Sequence, residues 1–226
     1  NIIMQTANEK PLKIAFLTPL ALADKRNSWR IANQHIIQAL QKQCGEVFHV
    51  GPISLRKEVL AGKILNKASQ ILLKKRFLYY DSSYISKRYA RKVARILSKL
   101  SVDVIIASCC ATEIAFLETN IPIVLLEGAT FAQLQNYYPQ YSNLLKRSAC
   151  SGNVLHELAL KRVESILMPS AWGKKSVIED YHIDPQKVHV LPYGANIANV
   201  PAQEIVLAKK KSEHCRLLFV GTDWQR

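Results

Sequence analysis

Residues 163–196 read as strand, helix, strand and turn, and they constrain the fold more than any other stretch. The apolar run 164–168 predicts a strand, and Ser170 follows it where a helix N-cap is expected. A second apolar run, 188–191, ends at the turn Pro192-Tyr193-Gly194. A strand–helix–strand of this length is typical of a parallel βαβ unit, which requires a sheet covered by helices.

Short apolar runs alternate with helical patterns along the rest of the chain, and no hairpin signal separates them. This alternation predicts an α/β fold with a doubly wound, parallel, Rossmann-like sheet. Ligands of such sheets bind outside the carboxyl ends of the strands. The segments that follow the predicted strands are 19–30, 108–112, 127–131, 169–173 and 192–196.

Several common site motifs are absent from the sequence. Gly173-Lys174-Lys175-Ser176 resembles the end of a phosphate loop, but Met168 stands where that loop needs glycine. There is no GxGxxG, GxSxG or HExxH pattern, so neither a dinucleotide turn, a serine nucleophile elbow nor a zinc helix is predicted. The six histidines and five cysteines are scattered without CxxC spacing, so we expect no metal site and reduced thiols.

The positive charge of the chain is concentrated in residues 55–100. The whole chain has a net charge of +14, and this segment has 13 basic and 2 acidic residues. Apolar residues at helical spacing predict two amphipathic helices here, one with Leu60, Ile64 and Ile71 and one with Ile85, Tyr89 and Val93. The basic faces could be solvated, could contact an anionic membrane, or could bind nucleic acid. No nucleic-acid-binding module accompanies them, so no nucleic acid is expected.

Glu127 is the most conspicuous polar residue at a predicted strand end. It follows the apolar run 122–126, where an ionised carboxylate costs free energy unless it is paired or functional. A charge that faces solvent or caps an amide is the alternative interpretation.

An ordered series of segments resembles the N-terminal half of a family 4 glycosyltransferase. The segments are KIAFLTP, DVIIAS, IPIV, LHELALKRVESILMPSAW, DYHIDPQKVHVLPYGAN and LLFVGTDWQR. The resemblance covers residues 12–226 and implies a retaining enzyme of GT-B architecture, with two Rossmann-like domains that face each other across a cleft. It implies a leader at 1–11, the acceptor-side domain at 12–196 and a linker at 197–214. Residues 215–226 would begin a truncated nucleotide-sugar-binding domain, so this chain alone is expected to have little activity.

The same resemblance suggests which residues form the site. Gly221 and Arg226 match the loop that grips the donor diphosphate. The first turn has polar residues where many members have paired glycines, and Glu127 stands where many members have a histidine near the transferred sugar. Glu127 is therefore the predicted catalytic residue. The predicted substrate-binding residues are Ser28, Trp29, Arg30, Ser170, Tyr193, Gly194 and Asn196.

The resemblance implies transfer of a sugar, with retention, from a nucleotide-sugar donor, as by a hexosyltransferase. The donor is a substrate, and neither a cofactor nor a metal is expected. The acceptor would be a glycan, a lipid-linked molecule or a small molecule in the cytoplasm. Residues 55–100 could hold the enzyme at the inner face of a membrane. The alternative is a non-catalytic sugar- or nucleotide-binding module on the same fold.

Overall fold

The computed structural model describes residues 10–20, 28–194, 202–208 and 214, with only the backbone described for residues 28–30. The chain divides into two units, Asn1–Gly194 and Ala195–Arg226. The first unit contains the whole described sheet. In the second unit, the described part has one short helix, α8 (Gln203–Leu207).

A six-stranded parallel sheet forms the centre of the first unit. Its strands are β1 (Leu12–Leu17), β2 (Gly45–Val50), β3 (Val104–Ser108), β4 (Ile123–Leu126), β5 (Ser165–Met168) and β6 (Val188–Val190). Their order across the sheet is β2-β1-β3-β4-β5-β6, and every neighbouring pair is parallel. The predicted Rossmann-like α/β fold is therefore confirmed.

Helices connect the strands. They are α1 (Ser28–Gln43), α2 (Arg56–Leu72), α3 (Ser83–Leu97), α4 (Ala111–Ile114), α5 (Phe131–Leu134), α6 (Lys146–Arg162) and α7 (Ala171–Glu179). The chain moves in one direction from β1 to β2 and then returns past β1 to β3. Because such crossovers are right-handed, this reversal places α1 on the opposite face of the sheet from α3, α4 and α6. The switch point lies between β1 and β3.

The main core lies between the sheet and the helices α3, α4 and α6. Ile105, Leu125 and Ile166 occupy successive strands and are fully buried together with Val93 and Leu160 of the helices. Side chains alternate between the two faces along a strand, so their neighbours belong to the other face. Those neighbours in β3, β4 and β5 are only partly buried, except Leu126, which is buried.

The two predicted amphipathic helices differ in where their apolar stripes lie. Ile85, Tyr89 and Val93 of α3 are buried, as expected for a core-facing stripe. The stripe of α2 that includes Leu60 and Ile64 is exposed instead. The sequence pattern indicated the helix correctly, but it could not show that small residues would form the buried face of α2.

A close contact between α5 and α6 holds the segment that follows β4. A methyl group built on Gly152 would lie 2.2–2.6 Å from three ring atoms of Phe131, which is itself buried. Gly152→Ala gains about 1 kcal/mol in helix propensity, but overpacking at so short a distance costs about 2–3 kcal/mol, the upper part of the usual range. We therefore expect a net loss of about 1–2 kcal/mol in the free energy of unfolding, measured with urea.

Gly173→Ala is the matched control for this substitution. Its methyl group would approach the mobile end of Met168, at 2.6 Å from Cε, which can move aside. We expect little loss of stability. If Gly152→Ala were as stable as the wild-type protein, the ring of Phe131 would not be held as tightly as the packing indicates.

Candidate functional site

Buried polar residues collect at the carboxyl ends of three neighbouring strands. Thr18 follows β1, Ser108 ends β3 and Glu127 follows β4, and each is at least nine-tenths buried. They lie at and beside the switch point, where open α/β sheets bind ligands. This edge of the sheet is therefore the candidate site.

Asn33 of α1 joins the ends of β1 and β3. Its amide nitrogen donates to Thr18 Oγ1 at 3.0 Å, and Ser108 Oγ donates to its Oδ1 at 2.8 Å. Asn33 is fully buried. The side chain thus fixes the start of α1 against the switch point, and both of its polar ends are satisfied.

The sequence analysis missed Asn33. The apolar spacing in α1 favours a different face, formed by Ile31, His35, Ile36, Ala39 and Leu40. Of these, Ile36 and Leu40 are partly buried and the other three are exposed. Asn33, whose polar ends are satisfied by two hydroxyls, takes the fully buried position instead. Thr18, at the end of a predicted strand, and Ser108, directly after another, were the only sequence signal for such a partner.

Glu127 is buried at the N-terminus of the single-turn helix α4. Backbone amides of Ala111 and Gly128 donate hydrogen bonds to its carboxylate. Burial nevertheless raises the pKa of Glu127 to about 8; the amides lower this pKa, and the nearby carboxyl groups of Glu113 and Asp81 raise it. The carboxyl group therefore exchanges its proton close to neutral pH. Because it is buried, the alternative of a charge that faces solvent does not apply.

Glu113, which is buried, and Asp81, which is partly buried, complete a cluster of three carboxyl groups. The Tyr80 hydroxyl donates to Glu113 Oε1, and Thr112 Oγ1 donates to Asp81 Oδ1 at 2.7 Å. Burial raises the pKa of Glu113 to about 7 and also raises the pKa of Asp81. The sequence analysis missed both residues, although Glu113 interrupts an apolar helix, which is a weak signal of a buried acid.

Tyr193 is a predicted site residue that lies near Glu127 in the structure. Partial burial, and then the proximity of Cys109 and Glu127, raise the pKa of its hydroxyl. Tyr141 is affected similarly, because burial and the neighbouring Asp81 and Glu127 raise its pKa to about 12. The phenol groups of Tyr141 and Tyr193 therefore accompany the carboxyl cluster, in addition to that of Tyr80.

Two further predicted site residues, Gly194 and Ser170, differ in what the local backbone requires of them. The backbone does not require glycine at Gly194, because its φ is not positive and an added Cβ would meet no atom within 4 Å. The predicted cap at Ser170 is confirmed, since its hydroxyl accepts from the amide of Gly173 at 3.2 Å. The exposed Trp172 follows in the first turn of α7.

The other predicted site residues lie in the first turn of α1 or outside the described residues. Ser28, Trp29 and Arg30 form the first turn of α1, of which only the backbone is described. Asn196, Gly221 and Arg226 lie outside the described residues, as do most of the predicted leader, linker and second domain.

The described residues contain no group of three or more histidine, cysteine, aspartate or glutamate side chains arranged to hold a metal ion. No described helix is long and apolar enough to cross a membrane. Four cysteines in this part of the chain (Cys44, Cys109, Cys110 and Cys150) are free thiols.

Comparison with known proteins places this fold and site in a family. No curated protein matches the chain. The model of Glycosyltransferase Family 4 matches residues 34–199, which is more than half of the chain, begins one residue after Asn33 and includes the carboxyl cluster and Tyr193. The chain therefore belongs to glycosyltransferase family 4.

Proposed function

We propose that this chain contains the acceptor-side domain of a retaining glycosyltransferase of GT-B architecture, which transfers a sugar from a nucleotide-sugar donor. The observation that supports this most is the position of Glu127. It is a buried, readily titrated carboxyl group at the carboxyl edge of the sheet, within the matched range 34–199. A group whose pKa lies near the working pH is suited to proton transfer.

In the proposed reaction, Glu127 acts as the general base. The oxygen of an acceptor hydroxyl forms a bond to the anomeric carbon of the sugar, and its proton passes to the Glu127 carboxylate. The bond from that carbon to the diphosphate oxygen breaks, and the nucleoside diphosphate leaves with the electron pair. Attack from the face that the diphosphate leaves retains the configuration of the sugar.

The donor phosphates would be held by amides, helix N-termini and cations. We propose that Gly221 and Arg226 belong to that set, at the start of a second domain in residues 215–226. Ser28, Trp29 and Arg30 in the first turn of α1, together with Ser170 and Asn196, remain proposed contacts to substrate. The donor is consumed as a substrate, and the acceptor is proposed to be a cytoplasmic glycan, lipid-linked molecule or small molecule.

We further propose that the membrane contact suggested by residues 55–100 belongs to α2 rather than α3. Three cations of α3 already have partners within the protein. Arg88 pairs with Glu58 at 2.6 Å, Lys92 donates to Ser54 O at 2.6 Å, and Lys87 lies 5.0 Å from the centre of the Phe116 ring. On α2, by contrast, exposed lysines stand beside exposed aliphatic side chains.

A panel of nucleotide sugars tests the proposed activity. We expect protein that contains both domains to hydrolyse one donor among UDP-, GDP- and ADP-sugars slowly, or to transfer its sugar when acceptors are added. Binding should be followed by calorimetry and turnover by release of the nucleoside diphosphate. Donor binding without any turnover would favour the non-catalytic module, and neither binding nor turnover would contradict both readings.

A further inference from the structure

Helix α2 is attached to the protein by small and polar side chains. Of its 17 residues, only Gly62 and Ser69 are buried. Gly62 lies against the ring of Tyr79, where an added Cβ would come within 2.3 Å of two ring atoms. Ser69 Oγ donates to the carbonyl of Lys75 at 2.8 Å. Val59 packs against the small cluster of Leu55, Ile85 and Tyr89, but most of the large aliphatic side chains of the helix have no core to enter.

Those aliphatic side chains form an exposed apolar surface. Each of the following is more than half exposed: Leu60, Ile64, Leu65, Ile71 and Leu72. Each large aliphatic side chain left in water forgoes roughly 1.5–3 kcal/mol of burial free energy, so a continuous row is unfavourable unless something covers it. The described part of the first unit provides no such cover.

An apolar groove of about 950 Å³ lies beside this row. It is bounded by α2, the segment 77–79, the start of α3 and one side of α6. The apolar side chains that line it are Ala61, Leu65, Phe77, Leu78, Ile85 and Val154. Its size is in the range of cavities that hold small organic ligands, and its long apolar walls suit a hydrocarbon chain.

The charges that line the groove are positive overall. Lys57 and Arg147 line it and are exposed, and neither has an acidic partner in the part of the chain that the structure describes. Glu58 also lines the groove, but its charge is balanced by Arg88 at 2.6 Å. A ligand with an apolar chain and an anionic group therefore complements this groove.

We propose that the groove binds one acyl chain of an anionic membrane phospholipid, with the lipid phosphate held by Lys57 and Arg147. The exposed row and lysines of α2 favour a membrane lipid over an acidic peptide, because aliphatic side chains can enter the acyl region while Lys63 and Lys67 meet the headgroups. The inference extends the proposed membrane contact and does not depend on sugar transfer.

The groove shares a wall with the carboxyl cluster. Tyr79 and Ser82 line the groove, and the two residues between them are Tyr80 and Asp81 of the cluster. Ser151 also lines the groove, and its hydroxyl donates to the carbonyl of Asp81 at 2.8 Å. A lipid in the groove would therefore contact one side of the segment 79–82, and the carboxyl cluster lies on the other side of this segment.

Cys150 provides a direct measure of whether the groove is occupied. It is exposed and lines the groove. Its rate of alkylation by a maleimide, mapped by mass spectrometry, is compared with and without lysophosphatidylglycerol below the micelle concentration. We expect at least a tenfold decrease in rate with this lipid. Lysophosphatidylcholine, which has the same chain and no net charge, is expected to protect much less.

Two matched variants locate the bound lipid. Ala61→Trp fills the groove from an exposed position, so the fold should be kept, and the lipid should no longer change the Cys150 rate. Leu60→Trp places the same ring on the same helix but outside the lining of the groove, and protection should persist. Lys57→Glu with Arg147→Glu should weaken protection by lysophosphatidylglycerol at least tenfold.

Other outcomes would overturn the proposal. Protection that survives Ala61→Trp would place the lipid elsewhere, and equal protection by the two lipids would remove the role of the cations. Protection by an acidic amphipathic peptide but not by the lipid would identify a protein partner instead. Turnover of a soluble acceptor by Ala61→Trp is expected to match that of the wild-type protein, so failure of the groove proposal and failure of the proposed activity are distinguishable.

Discussion

Glu127→Gln is expected to lower kcat by about 10²- to 10⁴-fold, the usual contribution of a general base. Glutamine has the same shape, and its side-chain oxygen can still accept from the amides of Ala111 and Gly128. It cannot accept the proton of the acceptor hydroxyl. Donor affinity should change little, because the proposed donor phosphate contacts lie elsewhere. The measurement is steady-state turnover with the donor that the panel identifies.

The pH dependence of turnover should report the same group. If Glu127 acts as a base, kcat/KM should rise with pH and level off above its pKa of about 8. Glu113→Gln removes a neighbouring negative charge that raises this pKa, so the rise should move to lower pH while the plateau changes less than tenfold. A Glu127→Gln enzyme with near wild-type turnover, or the same pH profile, would contradict the proposed role.

The sequence predicted the sheet well because its signals are local. Each strand is a short apolar run with a turn or cap beside it, and Ser170 shows how a single hydroxyl marks the start of a helix. The position of Glu127 could be predicted for the same reason, since it directly follows the run that forms β4. Parallel order then follows from the alternation of strands and helices.

The rest of the site depends on contacts that are distant in the sequence. Asn33 meets Ser108 across 75 positions, and Thr112 meets Asp81 across 31. No local pattern shows that a polar side chain will be buried once its partner comes from another element. The orientation of α2 has a similar cause, because its inward face is chosen by the fit of Gly62 against Tyr79 rather than by hydrophobicity.

The carboxyl cluster should also make the fold less stable as the pH rises. An unfolded glutamate ionises near pH 4.5, whereas Glu113 and Glu127 keep their protons until about 7 and about 8 in the fold. Between these values the folded state binds more protons, so the free energy of unfolding falls with pH by about 1.4 kcal/mol per unit for each group. This stability is fully present below pH 4.5 and is lost once the folded pKa is passed.

The clearest window for this effect is pH 6.5–8. Burial lowers the pKa of His156 to about 4, from an ordinary value of 6.5, so at lower pH its protonation in the unfolded state opposes the effect of the acids. Above pH 6.5 that opposition ends, and urea titrations should show a loss of about 2 kcal/mol by pH 8. Glu127→Gln should remove most of this slope. Glu157→Gln, which changes only an exposed pair with Lys161, should leave this slope unchanged. If the stability of the wild-type protein stayed constant or rose across the window, the carboxyl groups would not be held as neutral acids.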